Sequence, residues 1–141
     1  MNKVIVTGGA GFVGTNLIKH LLSKYPEIKI LSLDNYWTGK KENHVDSPNV
    51  TYKRFKTSDI NNSVEIEHFG AEVLFHFGEY SRIVKSFDDS NYVMHTNLNG
   101  TSQVLEFCKQ HKVKLIYSAS SSKFGNGGKD ENLSPYSWAK A

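Results

Sequence analysis

Tyr136 and Lys140 stand four positions apart near the carboxyl end of the chain, in Tyr136-Ser137-Trp138-Ala139-Lys140. On a helix that spacing puts both side chains on one face, where an ammonium favours the ionised phenol. A tyrosine that releases its proton readily can act as general base or acid on a substrate hydroxyl or ketone. Ser120, just after the apolar run Val113 to Tyr117, supplies a third hydrogen-bonding group able to hold the same oxygen. The Tyr-x-x-x-Lys spacing is common and by itself marks only a helix face. The reading therefore depends on what the rest of the chain carries.

At the other end, Val6-Thr7-Gly8-Gly9-Ala10-Gly11-Phe12-Val13-Gly14 joins an apolar run to a helix-periodic one. Its glycines fit G-x-G-x-x-G through Gly9, Gly11 and Gly14, and equally G-x-x-G-x-x-G through Gly8, Gly11 and Gly14. Either spacing permits a tight strand-to-helix turn, close backbone approach to a diphosphate, and close packing of helix on strand. The free N–H groups and the positive end of the following helix then face the phosphates. Asp34 lies 20 residues after Gly14, where a carboxylate can accept both ribose hydroxyls of an adenosine. That arrangement favours NAD over NADP, because a 2′-phosphate there meets a like charge. Lys40 and Lys41 weaken the exclusion, and Asp34-Asn35 also suits a plain turn.

The elements that must position these groups are legible as alternating patterns. Lys3 to Thr7 is predicted as a strand buried on both faces. Val13, Leu17, Ile18, Leu21 and Leu22 recur at helical spacing after it. Further strands are expected at Ile28 to Leu33, Thr51 to Phe55, Glu72 to Phe77 and Val113 to Tyr117. Asn35 to Pro48 reads as a surface loop, as does the glycine-rich segment Gly125 to Ser134. A short helix is expected through Asn61 to Phe69, and a long one from Asn91 to Lys112. Pro135 is placed to open a last helix at its first position. Strands alternating with helices predict an α/β fold, a doubly wound parallel sheet of about five strands in the order 3-2-1-4-5. Functional residues then belong just after strands: Gly8 to Gly14, Asp34, Asp59, Phe77 to Ser81 and Ser118 to Ser122.

Composition narrows the functional class. The net charge is +3 with cations scattered along the chain, which gives no reason to expect nucleic acid or a membrane surface as partner. The start carries no long apolar core or small-residue cleavage site, and the single Cys108 excludes an internal disulfide. A cytoplasmic protein is the expectation. The six histidines show no metal-ligand spacing, so no metal site is expected.

Seven stretches in order carry a family resemblance: Thr7 to Gly14, Leu33-Asp34-Asn35 with Thr38-Gly39, Ser58-Asp59-Ile60, Phe75 to Gly78, Asn97 to Thr101, Tyr117 to Gly125, and Ser134 to Lys140. Through them the chain resembles the extended short-chain dehydrogenase/reductases, specifically the NAD-dependent epimerase/dehydratase group acting on nucleotide sugars. The resemblance implies a Rossmann-like dinucleotide-binding domain over residues 1–141. In it, Gly8, Gly11, Phe12 and Val13 line the diphosphate, Asp34 and Asn35 the adenine ribose, and Asp59 and Ile60 the adenine edge. Phe77 and Gly78 lie along the cofactor, and Asn97 braces the site from the long helix. Ser120, Tyr136 and Lys140 form the catalytic group. The implied chemistry is transient oxidation of a sugar hydroxyl by hydride transfer to NAD. Dehydratases of this group carry an Asp-Glu pair after the serine or threonine, where this chain has Ser121-Ser122. Epimerase-like or simple redox chemistry is the implied alternative to dehydration.

The chain also departs from that pattern. Glu79 stands where the family usually has a small residue beside the cofactor, which requires it to point away or to pair with Arg82. Members of the family are about twice as long, so the expectation is an amino-terminal half truncated before the substrate region, with the substrate domain absent. Self-association through the edge of the fifth strand, or through apolar surface on neighbouring helices, follows as an expectation, either as a homo-oligomer or with a complementing chain. The enzyme reading is thus set beside a second one, a non-catalytic NAD-binding or interaction module that needs another chain for activity.

Overall fold

A computed structural model describes residues 1–122, 124, 129 and 133–141. Five parallel strands, β1 (Lys3–Thr7), β2 (Lys29–Asp34), β3 (Val50–Arg54), β4 (Val73–His76) and β5 (Lys114–Tyr117), lie in the order β3-β2-β1-β4-β5. The register runs from Lys3 opposite Lys29 to Thr7 opposite Leu33 on one side of β1, and from Val4 opposite Val73 to Thr7 opposite His76 on the other. This is the doubly wound sheet predicted from the alternating pattern. Most of the expected segment Gly125 to Ser134 lies outside the described residues.

Strand alternation divides the core in two. Ile5, Leu31, Leu33 and Leu74 pack on one face beneath α2 (Val64–Phe69) and α4 (Gly100–His111), against Ile66, Val104 and Phe107. Val4, Val6 and Ile30 point to the opposite face, where α1 (Phe12–Lys24) supplies Ile18 and Leu21. All three central β1 residues are fully buried because both faces are covered. Cys108 belongs to the first face, and burial pushes its thiol up to about 11. β5 is an edge strand, with Ile116 exposed.

Two elements differ in detail from the sequence expectation, and a third follows it. A 3₁₀ turn over Thr57–Asn62 precedes α2, so the expected short helix is split. The long helix is continuous from α3 (Ser90–Val93) into α4 but widens into a π-helical turn at Met94–Asn99. Such turns direct a side chain inward at the cost of regular pairing, and here the fully buried side chain is Asn97. Last, α5 (Pro135–Ala139) starts with Pro135 at its first turn and Ser134 as cap, the Ser134 hydroxyl accepting from the Ser137 N–H at 3.0 Å. Ala139 packs against Tyr80 and Val93, which docks this short helix on the α3 end of the long one.

Candidate functional site

The carboxyl ends of β1, β2 and β4 open into one groove of about 260 Å³. Its floor is the turn after β1. Gly8 sits there at φ +72°, and a Cβ on it would lie 2.8 Å from the backbone of Phe77 and Gly78, so both dihedral and space demand glycine. The positive φ and this close approach belong to Gly8, which favours the Gly8-Gly11-Gly14 spacing over the one that begins at Gly9. No side chain caps α1 at Gly11. The first N–H groups of a 13-residue helix are therefore left for a ligand, with the positive helix end behind them.

Asp34 ends β2 against this turn and is buried. Its Oδ2 accepts from the Ala10 N–H at 3.0 Å and its Oδ1 from the Tyr36 N–H at 2.8 Å. Each oxygen keeps a lone pair free for a hydroxyl donor. Asn35 is more fully committed. Its Oδ1 accepts from the Trp37 N–H at 2.9 Å, and its Nδ2 donates to the Tyr92 hydroxyl at 2.9 Å.

Gly8, Gly11, Phe12, Val13, Asp34, Asn35, Phe77 and Gly78 all line the groove. Asp59, Ile60 and Asn97 do not. Asp59 is exposed, while Ile60 is fully buried in the core under α4. After β3 it is Phe55 and Thr57 that reach the groove. Asn97 acts one step back: its Oδ1 accepts from the Tyr80 N–H at 2.7 Å and its Nδ2 donates to the Tyr80 carbonyl at 2.9 Å, clamping the loop after β4. Trp37, Tyr92 and Thr96 also line the groove and were not singled out from sequence. Nothing local marks them, because their role arises only where two distant segments meet.

Ser120, Tyr136 and Lys140 lie outside the lining, and Lys140 bonds to two residues that belong to it, Glu79 and Ser118. Ser120 and Ser122 share a hydrogen bond between hydroxyls at 2.7 Å. Tyr136 is buried, and its N–H donates to the Ser86 hydroxyl. Lys140 donates to Glu79, to the Ser118 carbonyl at 2.6 Å and to the Tyr117 hydroxyl at 3.4 Å. The Tyr136 phenol is not among the hydrogen-bond partners of the ammonium. Glu79 pairs with Lys140 and not with Arg82, and both its side chain and that of Lys140 are buried. Burial and the Glu79 carboxylate push the Tyr117 phenol well up, so it keeps its proton and donates to Glu79.

A polar chain links this pair to the glycine turn. The Thr7 hydroxyl oxygen accepts from the N–H groups of Phe77 and Gly78, so its proton goes to Nδ1 of His76 at 2.7 Å. The His76 Nε2 proton then goes to Thr101, 3.0 Å away, and the Thr101 hydroxyl donates to Glu79 at 2.9 Å. This order of donors assigns a neutral imidazole protonated at Nε2. Burial, assisted by the Lys140 charge, holds His76 down at about 4. A folded-state pKa below the unfolded 6.5 means that the unfolded chain takes up the proton first as pH falls. Stability from this group is therefore complete above pH 6.5, declines as pH drops from there to about 4, and totals about 3 kcal/mol. NMR of the ring carbons is the check. The His76 resonances are expected not to titrate between about pH 7 and 5, and a midpoint near 6.5 would contradict the assignment.

Among the described residues no group of His, Cys, Asp or Glu could hold a metal ion, and no helix is long and apolar enough to cross a membrane. A sequence model of the NAD dependent epimerase/dehydratase family matches residues 4–141. The chain is 28% identical over 153 residues to dTDP-glucose 4,6-dehydratase of Mycobacterium tuberculosis, covering 99% of this chain and 46% of that protein. It is 32% identical over 133 residues to ADP-L-glycero-D-manno-heptose-6-epimerase of Brachyspira hyodysenteriae, covering 88% and 39%. Among solved structures, UDP-glucose 4-epimerase of Thermus thermophilus in complex with NAD matches with a TM-score of 0.81 and 29% identity, over 99% of this chain and 47% of that one. The chain thus spans less than half the length of these relatives.

Proposed function

Because the chain belongs to the NAD dependent epimerase/dehydratase family, we propose that it is the cofactor-holding part of an NAD-dependent enzyme acting on a nucleotide sugar, with epimerase-like or simple redox chemistry. The observation that carries this reading is the groove itself. An uncapped helix N-terminus, the Gly8 turn and the buried Asp34 carboxylate face one space, as a dinucleotide requires. NAD, when bound, supplies a hydride acceptor for a sugar carbinol.

In this reading Phe12 and Val13 hold the diphosphate through backbone N–H groups, Gly8 and Gly11, whose own N–H groups bond to the Leu33 and Gly8 carbonyls, let it approach the backbone closely, and Asp34 accepts the ribose hydroxyls. Asn35, Asp59 and Ile60 belong to the adenosine side, the latter two through the chain segment that Ile60 anchors in the core. Phe77 and Gly78 flank the dinucleotide, and Asn97 fixes the Tyr80 loop beside it. Ser120 and Tyr136 hold and move the proton of the reacting hydroxyl, with Lys140 supplying positive charge. Ser121-Ser122 in place of an acid pair argues against water elimination. A second reading, a non-catalytic NAD-binding module that works with another chain, is favoured by the engagement of Lys140 with Glu79.

Calorimetric titration with NAD tests the cofactor site. Saturable binding is expected for the wild type. Asp34→Ala removes a charged acceptor of two hydroxyls, and hydrogen bonds to charged groups contribute about 1.5–3 kcal/mol each, so the loss of even one of them lowers affinity by about ten- to a hundredfold. Asp34→Asn, which still accepts from one of the Ala10 and Tyr36 N–H groups, separates ligand loss from loop disorder. Wild-type protein that is folded and does not bind NAD would refute the reading.

A further inference from the structure

Resting on the reading of this groove as an NAD site, we propose that Trp37 and Tyr92 form an aromatic clasp across it that retains the bound dinucleotide. The two rings stack with centroids 4.4 Å apart and 28° between planes, although they come from segments far apart in the chain, one after β2 and one in α3. Both line the same space as Gly8 and Asp34. Trp37 remains 58% exposed, so the stack sits at the mouth and not in the core.

The joint is built from both sides. Asn35 bridges it with one amide, accepting from the Trp37 N–H and donating to the Tyr92 hydroxyl. Tyr36, between Asn35 and Trp37 in sequence, adopts φ +59°, a left-handed conformation rare for a bulky side chain. Its phenol is tied to His44 Nε2 at 2.9 Å, and the His44 ring stacks on Tyr52 at 3.7 Å, which holds that conformation from outside. On the other wall, Tyr92 meets Tyr80 edge-on at 6.0 Å, and Tyr80 is the residue whose backbone Asn97 clamps. An exposed indole does not need this much support to rest on a surface. The supports hold it over a groove whose contents must then pass the stack to leave.

A clasp of this kind acts on release more than on affinity for the open state. Stopped-flow displacement of bound NADH, followed by its own fluorescence, reads the release rate directly. Trp37→Ala is expected to raise that rate by about two- to tenfold, the share of one aromatic stack. Trp37→Phe, which can still stack, should restore most of the retention. Tyr92→Phe keeps the ring and removes only the hydroxyl that Asn35 holds, and an intermediate rate is expected. In a Trp138→Phe background, where Trp37 is the remaining tryptophan, its emission should change when NADH binds. Equal release rates for wild type and Trp37→Ala overturn the clasp while leaving the cofactor site standing. Absence of NADH binding to the wild type overturns both.

Discussion

Replacing Glu79 with alanine is expected to destabilise the fold by about 3–5 kcal/mol, the cost of leaving one member of a buried ion pair without its partner. The Lys140 and Glu79 side chains are only 5% and 3% exposed. In the variant the ammonium keeps the Ser118 carbonyl and the Tyr117 hydroxyl but has no counter-charge. The hydroxyls of Thr101 and Tyr117 lose their acceptor at the same time. Glu79→Gln should cost less, since it retains an acceptor oxygen for them. The double variant Glu79→Leu with Lys140→Met removes both charges, and replacing a buried pair with apolar groups is often neutral or better. It should recover the part of the loss that comes from the unpaired charge, while the Thr101 and Tyr117 hydroxyls stay without their acceptor. Urea denaturation of the three variants tests this ordering. A Glu79→Ala midpoint within the error of wild type would show that water reaches the pair and that the burial argument fails.

Glu79 also shows where sequence reasoning reaches its end. Read along the chain, it is a misfit beside a cofactor whose partner should be sought nearby, at Arg82. Its actual partner is 61 residues away, brought there because β4 and β5 are neighbours in the sheet and α5 docks against the long helix. Apolar periodicity reports which face of an element is buried, so it reveals β1 to β5 and their order. It says nothing of which polar side chains meet across the carboxyl ends. The same limit explains Asn35, whose amide bridges Trp37 and Tyr92. It explains the reach of Phe55 and Thr57 into the groove as well, because a 3₁₀ turn after β3 carries Ile60 into the core and leaves Asp59 outside it. The π-helical turn was illegible for a different reason. Its residues are ordinary helix residues, and the widening serves a tertiary contact of Asn97 with the Tyr80 backbone.

Helix propensity and packing act in opposite directions at Gly14, and for that reason Gly14→Ala is the sharper test of the turn. By intrinsic propensity, alanine in α1 should stabilise the helix by up to about 1 kcal/mol relative to glycine. By packing, its Cβ would lie 2.3 Å from the Gly8 carbonyl oxygen, 2.7 Å from the Gly9 Cα and 2.9 Å from the Gly8 carbonyl carbon. All three are backbone atoms, and Gly8 is itself pinned by its N–H bond to the Leu33 carbonyl at 2.7 Å. No side chain can give way, so α1 must shift outward from β1 and out of contact with Val4 and Val6. Overpacking of this kind costs about 1–3 kcal/mol, and more where backbone must move. Net destabilisation is therefore expected, together with loss of NAD binding as the helix N-terminus leaves the groove. Gly11→Ala is the matched control, because its Cβ would meet only the Gly8 oxygen at 3.3 Å. That variant should melt near the wild-type temperature yet bind NAD more weakly, the methyl standing where the diphosphate must approach the backbone. If Gly14→Ala is instead the more stable of the two, helix propensity outweighs the packing of α1 on the turn, and the close approach assigned to Gly14 is wrong.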